Sequence, residues 1–419
     1  MSLLALDRSA LADSPVIRVW RHRDFALFMS GIGPFYVTNW MQRVGVGWLA
    51  WDLTHSPGWL GAVAAADLAP MLVVAPVAGA IVDRWDPLKQ MKLSLWLVLV
   101  QAFALAALTI AGLMTVELLF VLALIGGVIM PIYNAARQTI VPATVPREDF
   151  PSAVSLDSSF FHGSRFVGPM IAGITIATLG IGETLMAYAI GAVFFLVQLQ
   201  RLRLPPPQHR TRSASLAQDI VAGVVYARRQ HGIWMLFILL TVVSIVARPL
   251  QDFLPGFADK IFASGADGYA LLTSSMGIGA LTGAGWLAMR GHTRGLVYIV
   301  VVNAIGLAIA MLGFVATNRL WTGVAFIMLA GFTLTVMSTG TSALVQMAVS
   351  DDMRGRVMSL FAMIYRGVPA IGAIVIGLAA ETIGLRTSFA ACGIVCAIVW
   401  IALATRYRAV DASLGSMQR

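Results

Sequence analysis

Long apolar runs and short polar stretches alternate along the whole chain. Each apolar run contains about 20 residues or more, the length that a helix needs to cross the hydrocarbon core of a bilayer. We therefore predict an all-α membrane protein with twelve transmembrane helices, numbered 1 to 12. They cover residues 25–51, 57–82, 89–112, 117–141, 151–179, 183–203, 232–261, 268–290, 295–317, 321–346, 354–381 and 386–406.

The middle of the chain interrupts this pattern. Three prolines at 205–207 end the sixth run, and a polar stretch follows them. Residues 216–229 then combine apolar and charged positions as an interfacial helix does. The pattern predicts two six-helix bundles, over residues 1–203 and 232–419, joined by a cytoplasmic linker over residues 204–231.

The composition is also that of a membrane protein. The 419 residues are 58% hydrophobic and only 12% charged, whereas soluble domains contain about a quarter charged residues. The net charge of +9 comes from Lys and Arg in short clusters between apolar runs. No basic soluble domain exists, so we predict no nucleic-acid partner.

The basic residues fall mainly on one side of the predicted helices. Alternate loops, beginning with the amino terminus, hold most of the Lys and Arg, whereas the opposite loops hold only Lys260, Arg319 and Arg386. Positively charged loops stay on the cytoplasmic side. We therefore predict a multi-pass protein of the cytoplasmic membrane with both termini in the cytoplasm.

The two halves resemble each other weakly. Gly79, Asp83 and Arg84 end run 2, and Gly285, Met289 and Arg290 end run 8; Ser159, Phe161 and Pro169 of run 5 match Ser359, Phe361 and Pro369 of run 11. Internal symmetry of this kind is typical of transporters built from repeated bundles. Shared apolar composition is the alternative explanation.

The end of run 2 suggests a gate. Gly79 would allow close helix packing, and Asp83 lies where helix 2 enters the cytoplasmic interface beside Arg84. An acid there can hold the inner side shut by facing a basic partner or a helix N-terminus. Arg137, or the start of helix 11, would be that partner. In the alternative interpretation, the basic residues of this stretch only anchor the loop inside.

Several ionisable residues lie inside apolar runs, where a charge costs roughly 2.5–3.5 kcal/mol and therefore usually pairs or faces a cavity. They are Arg43, Asp67, Asp157, His162, Arg165, Arg248, Asp252 and Arg366. Arg43 could pair with Asp67, and Arg248 with Asp252, which would make these structural ion pairs. We otherwise expect a substrate and proton pathway, with Asp67 the first candidate for proton coupling and Asp252 the second.

Uncharged polar residues add to this pathway. The candidates are Asn39, Gln42, Asn134 and Gln346, and aromatic residues such as Tyr36, Trp40 and Tyr365 could contact an apolar ligand or simply pack. Because deep arginines outnumber deep acids, the lining suggests an anionic or oxygen-rich substrate.

Together these motifs resemble a known family. The stretch from Gly79 to Lys89 resembles the loop 2–3 signature of the major facilitator superfamily. The drug and siderophore exporter branch, whose best-known member exports enterobactin, is similar in NWMQR at 39–43, WDLTHSP at 51–57, NAARQ at 134–138, VPRE at 145–148 and RGRVMS at 354–359. The resemblance implies two bundles around a central cavity.

The resemblance extends to helix 5, whereas helix 4 departs from the pattern of the superfamily. Gly168 and Pro169 resemble the glycine-proline motif that exporters of the superfamily place in helix 5, which implies a gating role; a kinked packing helix is the alternative. The middle of helix 4, over 123–131, lacks the arginine that many antiporters carry there. The proton-coupling role of that arginine therefore cannot be transferred.

No phosphate-binding loop, metal-ligand spacing or nucleophile elbow occurs in the sequence, so we predict no ATP drive, cofactor, metal or enzyme activity. The leading interpretation is a monomeric secondary transporter that exports a small molecule, such as a drug or siderophore, in exchange for protons. The alternatives are an importer of the same fold and a non-transporting membrane scaffold or sensor.

Overall fold

The computed structural model describes residues 15–74, 78, 85–204, 216–290, 295–350 and 352–415. This part of the chain consists of helices and turns, without a strand. Each predicted span contains a helix. Outside the spans lie the amino-terminal helix Pro15–Trp20, a single 3-10 turn at Arg147–Asp149 and the linker helix Leu216–Arg229.

The twelve helices keep the numbers of the predicted spans. Their bounds are Arg23–Thr54 (1), Pro57–Leu68 with a further turn to Val74 (2), Pro87–Ile110 (3), Val116–Ala143 (4), Phe150–Thr178 (5), Ile181–Gln200 (6), His231–Val246 and Leu250–Lys260 (7), Gly265–Arg290 (8), Leu296–Ala316 (9), Leu320–Ala348 (10), Arg354–Arg366 and Pro369–Ile383 (11), and Leu385–Gly415 (12).

Nine helices within the described ranges are long and apolar enough to cross a membrane. Helices 1, 5 and 8 fall outside this set, although they contain 32, 29 and 26 residues. Polar residues, not length, separate them from the nine. Helices 1 and 5 carry many of the predicted site residues, and the polar side chains of these residues lower the hydropathy of both helices.

Helices 7 and 11 are interrupted, whereas the sequence predicts continuous spans. Helix 7 stops at Val246 and resumes at Leu250, directly after Pro249. Helix 11 stops at Arg366 and resumes at Pro369. Proline lacks a backbone N–H and disfavours helical geometry in the residue before it, so each helix restarts at or just after a proline.

The first compact unit comprises Met1–Gly45, Val74–Met114 and Val128–Arg212. Its core is aromatic. Phe35 stacks on Tyr188 with ring centroids 5.2 Å apart and also contacts Tyr133 and Phe195 at 5.6 Å. This cluster joins helices 1, 4 and 6.

The second compact unit comprises Val46–Val73, Thr115–Gly127 and Ser213–Arg419. Buried rings of Phe253, Phe257, Phe314 and Phe389 join its helices 7, 9 and 12. Unit 2 therefore contains segments from both halves of the sequence. The predicted division into bundles over 1–203 and 232–419 stays a prediction.

Helices 8 and 10 cross at two glycines. A Cβ atom on Gly279 would lie 1.9 Å from the Met328 carbonyl oxygen, and a Cβ atom on Gly331 would lie 2.1 Å from the Met276 carbonyl oxygen. The contact between these helices is therefore one of backbone against backbone, which only small residues permit.

This crossing predicts different effects for two glycine-to-alanine substitutions in helix 8, since one should destabilise the protein and the other should not. Gly279→Ala should lower the melting temperature in detergent, because overpacking of a tight contact costs about 1–3 kcal/mol. Gly285→Ala is the matched control, since its added methyl group would meet no atom within 4 Å. Equal melting temperatures for the two variants would contradict the packing.

Candidate functional site

A buried ion pair connects helices 4 and 5 in unit 1. The Arg137 guanidinium donates through NH1 to Asp157 Oδ2. Tyr36 of helix 1 completes the group, because its hydroxyl donates to Asp157 Oδ1 at 2.7 Å and accepts from Arg137 NH1 at 2.7 Å. Both charged side chains are nearly buried, with 12% and 9% of their surface exposed. We call Tyr36, Arg137 and Asp157 the unit 1 triad.

Sequence reasoning named all three residues without joining them. Arg137 lies six residues before the end of helix 4, and Asp157 lies seven residues after the start of helix 5. At 1.5 Å per residue both lie roughly 10 Å from the connection between the two helices, so depth counting alone could have paired them. The predicted gate residues Gly79, Asp83 and Arg84 lie outside the described residues.

Trp40 of helix 1 lies beside two of the predicted pathway arginines. The Arg43 guanidinium carbon is 5.8 Å from a Trp40 ring centroid, and that of Arg165 is 5.4 Å away. Cations are attracted to the face of an indole ring. Gly168 packs there too, because a Cβ atom on it would lie 2.5 Å from Trp40 Cβ. Pro169 follows, yet helix 5 continues through it.

The predicted amides of unit 1 hydrogen-bond to other residues of that unit. Asn39 Nδ2 donates to the Tyr188 hydroxyl at 3.1 Å, and Gln42 Nε2 donates to Gln101 Oε1 at 3.5 Å. Asn134 Nδ2 instead donates to the Met130 carbonyl at 2.9 Å, within its own helix.

Two further candidates lie on helices 5 and 2. His162 is exposed on helix 5, with its ring 5.5 Å from that of Phe161. Asp67 lies where helix 2 contacts helix 4, because a Cβ atom on Gly127 would be 2.6 Å from the Asp67 carbonyl oxygen. The pairing of Asp67 with Arg43 stays a prediction.

In unit 2, Arg248 lies in the interruption of helix 7. Its guanidinium carbon is 3.9 Å from the ring centroid of Tyr365, which lies two residues before the interruption of helix 11. A cavity of about 260 Å³ adjoins both residues. Asp252 lies in the first turn of the second segment of helix 7, and its pairing with Arg248 stays a prediction.

The last two predicted pathway residues are exposed. Gln346 donates from Nε2 to Ser342 Oγ at 3.0 Å, one turn earlier in helix 10. Arg366 is the final residue of the first segment of helix 11. Neither residue lines the cavity beside Arg248.

A polar cluster that the sequence did not predict lies at one end of unit 2, where helices 1 and 2 meet helices 7 and 11. The Glu381 carboxylate accepts from the Ser56 hydroxyl and, at 2.9 Å, from the Gly58 N–H. Trp51 Nε1 donates to Asp259 Oδ2 at 2.9 Å, and Lys260 Nζ donates to the His55 carbonyl at 3.0 Å. We call these residues the far-end cluster: Trp51, His55, Ser56, Gly58, Asp259, Lys260 and Glu381.

A second cluster that was missed joins the amino-terminal helix to the start of helix 5. Arg18 donates to Asp149 Oδ1 from Nε at 2.8 Å and from NH2 at 2.6 Å, and His22 Nε2 lies 2.8 Å from Asp149 Oδ2. The Asp149 side chain is only 1% exposed. The hydrogen bond from Arg18, followed by that from His22, lowers the pKa of Asp149 below its ordinary value of 3.8. These partners are 131 and 127 residues away, so no local pattern indicates them.

One known protein family matches almost the whole chain. A family model described as transmembrane secretion effector matches residues 21–418. The matched part includes every predicted site residue.

Two characterised relatives match over most of their length. The staphyloferrin A transporter of Staphylococcus aureus is 24% identical over 371 residues, which is 88% of this chain and 92% of the relative. The multidrug efflux pump Tap of Mycolicibacterium fortuitum is 28% identical over 385 residues, covering 88% and 90%.

A solved structure shares the fold. The crystal structure of a D-xylose-proton symporter superposes with a TM-score of 0.71 at 14% identity, covering 91% of this chain and 97% of the symporter. At that identity the likeness concerns the fold alone.

The unit 1 triad predicts a large loss of stability when its acid is removed. Asp157→Asn would leave the Arg137 guanidinium buried without its anion, which costs about 3–5 kcal/mol. Tyr36→Phe removes a hydroxyl only and should cost about 1 kcal/mol. Melting in detergent should therefore rank wild type above Tyr36→Phe and Tyr36→Phe above Asp157→Asn.

Asp24→Asn serves as the control for that series, since its contact with Arg23 is exposed and 3.3 Å long, and such pairs contribute about 0–1 kcal/mol. A melting temperature of Asp157→Asn as high as that of Asp24→Asn would refute the role of the triad.

The Asp149 cluster predicts a dependence of stability on pH. Because the folded pKa of Asp149 is lowered, its stabilisation is complete above the ordinary value of 3.8 and is lost as pH falls through the lowered folded value. The difference in melting temperature between wild type and Asp149→Asn should therefore shrink below about pH 3.8. A difference that stays constant as pH falls below 3.8 and through the lowered folded pKa would contradict this ionisation.

Proposed function

The chain belongs to the transmembrane secretion effector family of the major facilitator superfamily, and on that premise we propose that it exports a small molecule across the cytoplasmic membrane by alternating access in exchange for protons. Its relatives include transporters of a siderophore and of drugs. The family and the fold are those of transporters. Export by this chain, its coupling ion and its orientation are parts of the proposal.

The far-end cluster is the observation that best supports alternating access. Its contacts join helices 1 and 2, from the first half of the sequence, to helices 7 and 11, from the second half. They are hydrogen bonds of charged or polar groups, including the acceptor Glu381 and the donor Lys260. Water can replace such bonds when the helices separate, so the net contribution of each is modest, about 1.5–3 kcal/mol where a partner is charged. A contact of that kind is suited to opening and closing.

Glycine packing extends the same contact. A Cβ atom on Gly61 of helix 2 would lie 2.2 Å from the Ala373 carbonyl oxygen of helix 11. Smooth backbone surfaces can part and meet again without rearranging side chains. We propose that this joint forms the outer gate, and that both termini lie in the cytoplasm as the distribution of Lys and Arg predicts.

Proton coupling requires an acid that changes its protonation state during transport. The Asp157 carboxylate is held by Arg137 and Tyr36 and is a structural element in this proposal. Asp67 and Asp252 therefore remain the coupling candidates, in that order. The likeness to a proton symporter concerns the fold and leaves the direction of transport to experiment.

Transport assays test this proposal. Cells without their own efflux pumps should accumulate less of at least one drug or siderophore when they produce the protein. In inside-out vesicles with an acidified lumen, the same compound should release protons, which a pH-sensitive dye reports. Higher accumulation would establish the importer alternative, and no change for any compound would favour the scaffold alternative.

Neutralising the coupling acid should separate transport from proton release. We expect Asp67→Asn, or failing that Asp252→Asn, to abolish compound-induced proton release in correctly folded protein, while Asp24→Asn leaves it intact. If both variants release protons as the wild type does, proton coupling through these acids is ruled out.

A further inference from the structure

The two interrupted helices of unit 2 meet at one cavity. Arg248 lies in the interruption of helix 7, and Tyr365 lies just before that of helix 11. Both line the cavity of about 260 Å³, together with Ser244 and with Leu334, Met337 and Thr341 of helix 10. In membrane transporters, interrupted helices occur where the backbone borders a cavity instead of lipid, and substrates bind there.

Arg248 carries hydrogen-bond donors without acceptors in this cavity. Its Nε and NH1 atoms are buried and have no hydrogen-bond partner in the described part of the chain. The Tyr365 ring, 3.9 Å away, attracts the positive charge but accepts none of these in-plane N–H groups. The guanidinium is therefore positioned by the ring while its hydrogen-bonding edge is left for another group.

Ser244 presents a second group of the same kind. It is fully buried, lines the cavity one turn of helix before Arg248, and its Oγ has no hydrogen-bond partner among the residues described. The buried Ser164, Ser275 and Ser388 instead donate to a carbonyl of their own helix, as Ser388 does to Gly384 at 3.0 Å. A buried hydroxyl and a buried cation that both lack partners are expensive unless a ligand supplies the acceptors.

The surrounding residues define the chemistry of that ligand. Neither Asp nor Glu is among the described residues that line the cavity. The remaining lining is mostly aliphatic, with Leu239, Leu240 and Val243 on helix 7. A guanidinium matches the planar geometry of a carboxylate, and the aliphatic residues suit an apolar body next to it.

We propose that Arg248, Ser244 and the Tyr365 ring form a binding subsite for the carboxylate of an amphiphilic substrate. The biological meaning of this subsite rests on the proposed export function. Because the cavity lined by these residues is small, it takes the carboxylate end of the molecule and not its whole body. The subsite makes the transporter select acids over neutral analogues of the same shape.

Two isosteric probes test the subsite without requiring transport. Purified full-length protein in nanodiscs is titrated with tritiated 2-naphthoate and, separately, with 2-naphthamide. Hydrogen bonds to a charged partner are the stronger kind, so naphthoate should bind at least about tenfold more tightly than the amide. Arg248→Gln should abolish this preference, Arg248→Lys should retain part of it, and Ser244→Ala should weaken naphthoate binding alone.

Ser388→Ala is the matched control, because it removes a buried hydroxyl that already has a partner outside the cavity. Size-exclusion profiles show whether each variant is folded. If Arg248→Gln does not fold, Arg248→Lys tests the same position, because it preserves the charge. Equal affinity for the two probes, a preference that survives Arg248→Gln, or no binding of either probe, as a cavity holding water only would give, overturns the proposal. Because binding is measured without flux, failure of the transport assays alone leaves this result standing.

Discussion

The cost of taking an ionised side chain out of water governs the interior of this protein. A charge inside an apolar helix must find a counter-charge, a polarisable face or a ligand, because lipid offers none of these. The unit 1 triad represents the first solution, in which Arg137 meets Asp157 and Tyr36. Trp40, beside two arginines, represents the second. Arg248 combines a polarisable face with donors that lack acceptors, and it is this incomplete solution that points to a ligand.

Aromatic rings lie beside four of the arginines in the apolar runs. Arg43 and Arg165 lie by Trp40, Arg137 by Tyr36, and Arg248 by Tyr365. A ring stabilises a cation by about 0.5–2 kcal/mol without neutralising its charge. The rings therefore help to fix these guanidinium groups in position, and for Arg137 the Asp157 carboxylate supplies the counter-charge as well.

Element type was predictable from the sequence, and long-range pairing was mostly not. Every predicted span contains a helix because run length and hydropathy are local properties. The interruptions of helices 7 and 11 were missed, although Pro249 and Pro369 mark them, because proline is tolerated within many helices and helix 5 continues through Pro169. The charged candidate residues were selected because a charge inside an apolar run is costly. Counting residues from the helix ends could have shown that Arg137 and Asp157 lie at a similar depth. The contacts of Asp149 and Glu381 depend on tertiary packing between residues more than a hundred positions apart.

The two proline motifs that echo each other in the sequence differ in structure, and the difference has a physical cause. In helix 5, Gly168 fits against Trp40 Cβ and the Val37 carbonyl, so a neighbouring helix supports the backbone beside Pro169. In helix 11, Gly367 lies within the interruption, where a Cβ atom would meet the Leu72 side chain at 2.3 Å. Helix 5 thus remains continuous beside the paired charges of the triad, whereas helix 11 is interrupted beside Tyr365 and the cavity. Similar sequence elements therefore take different local structures, because the helices packed against them differ.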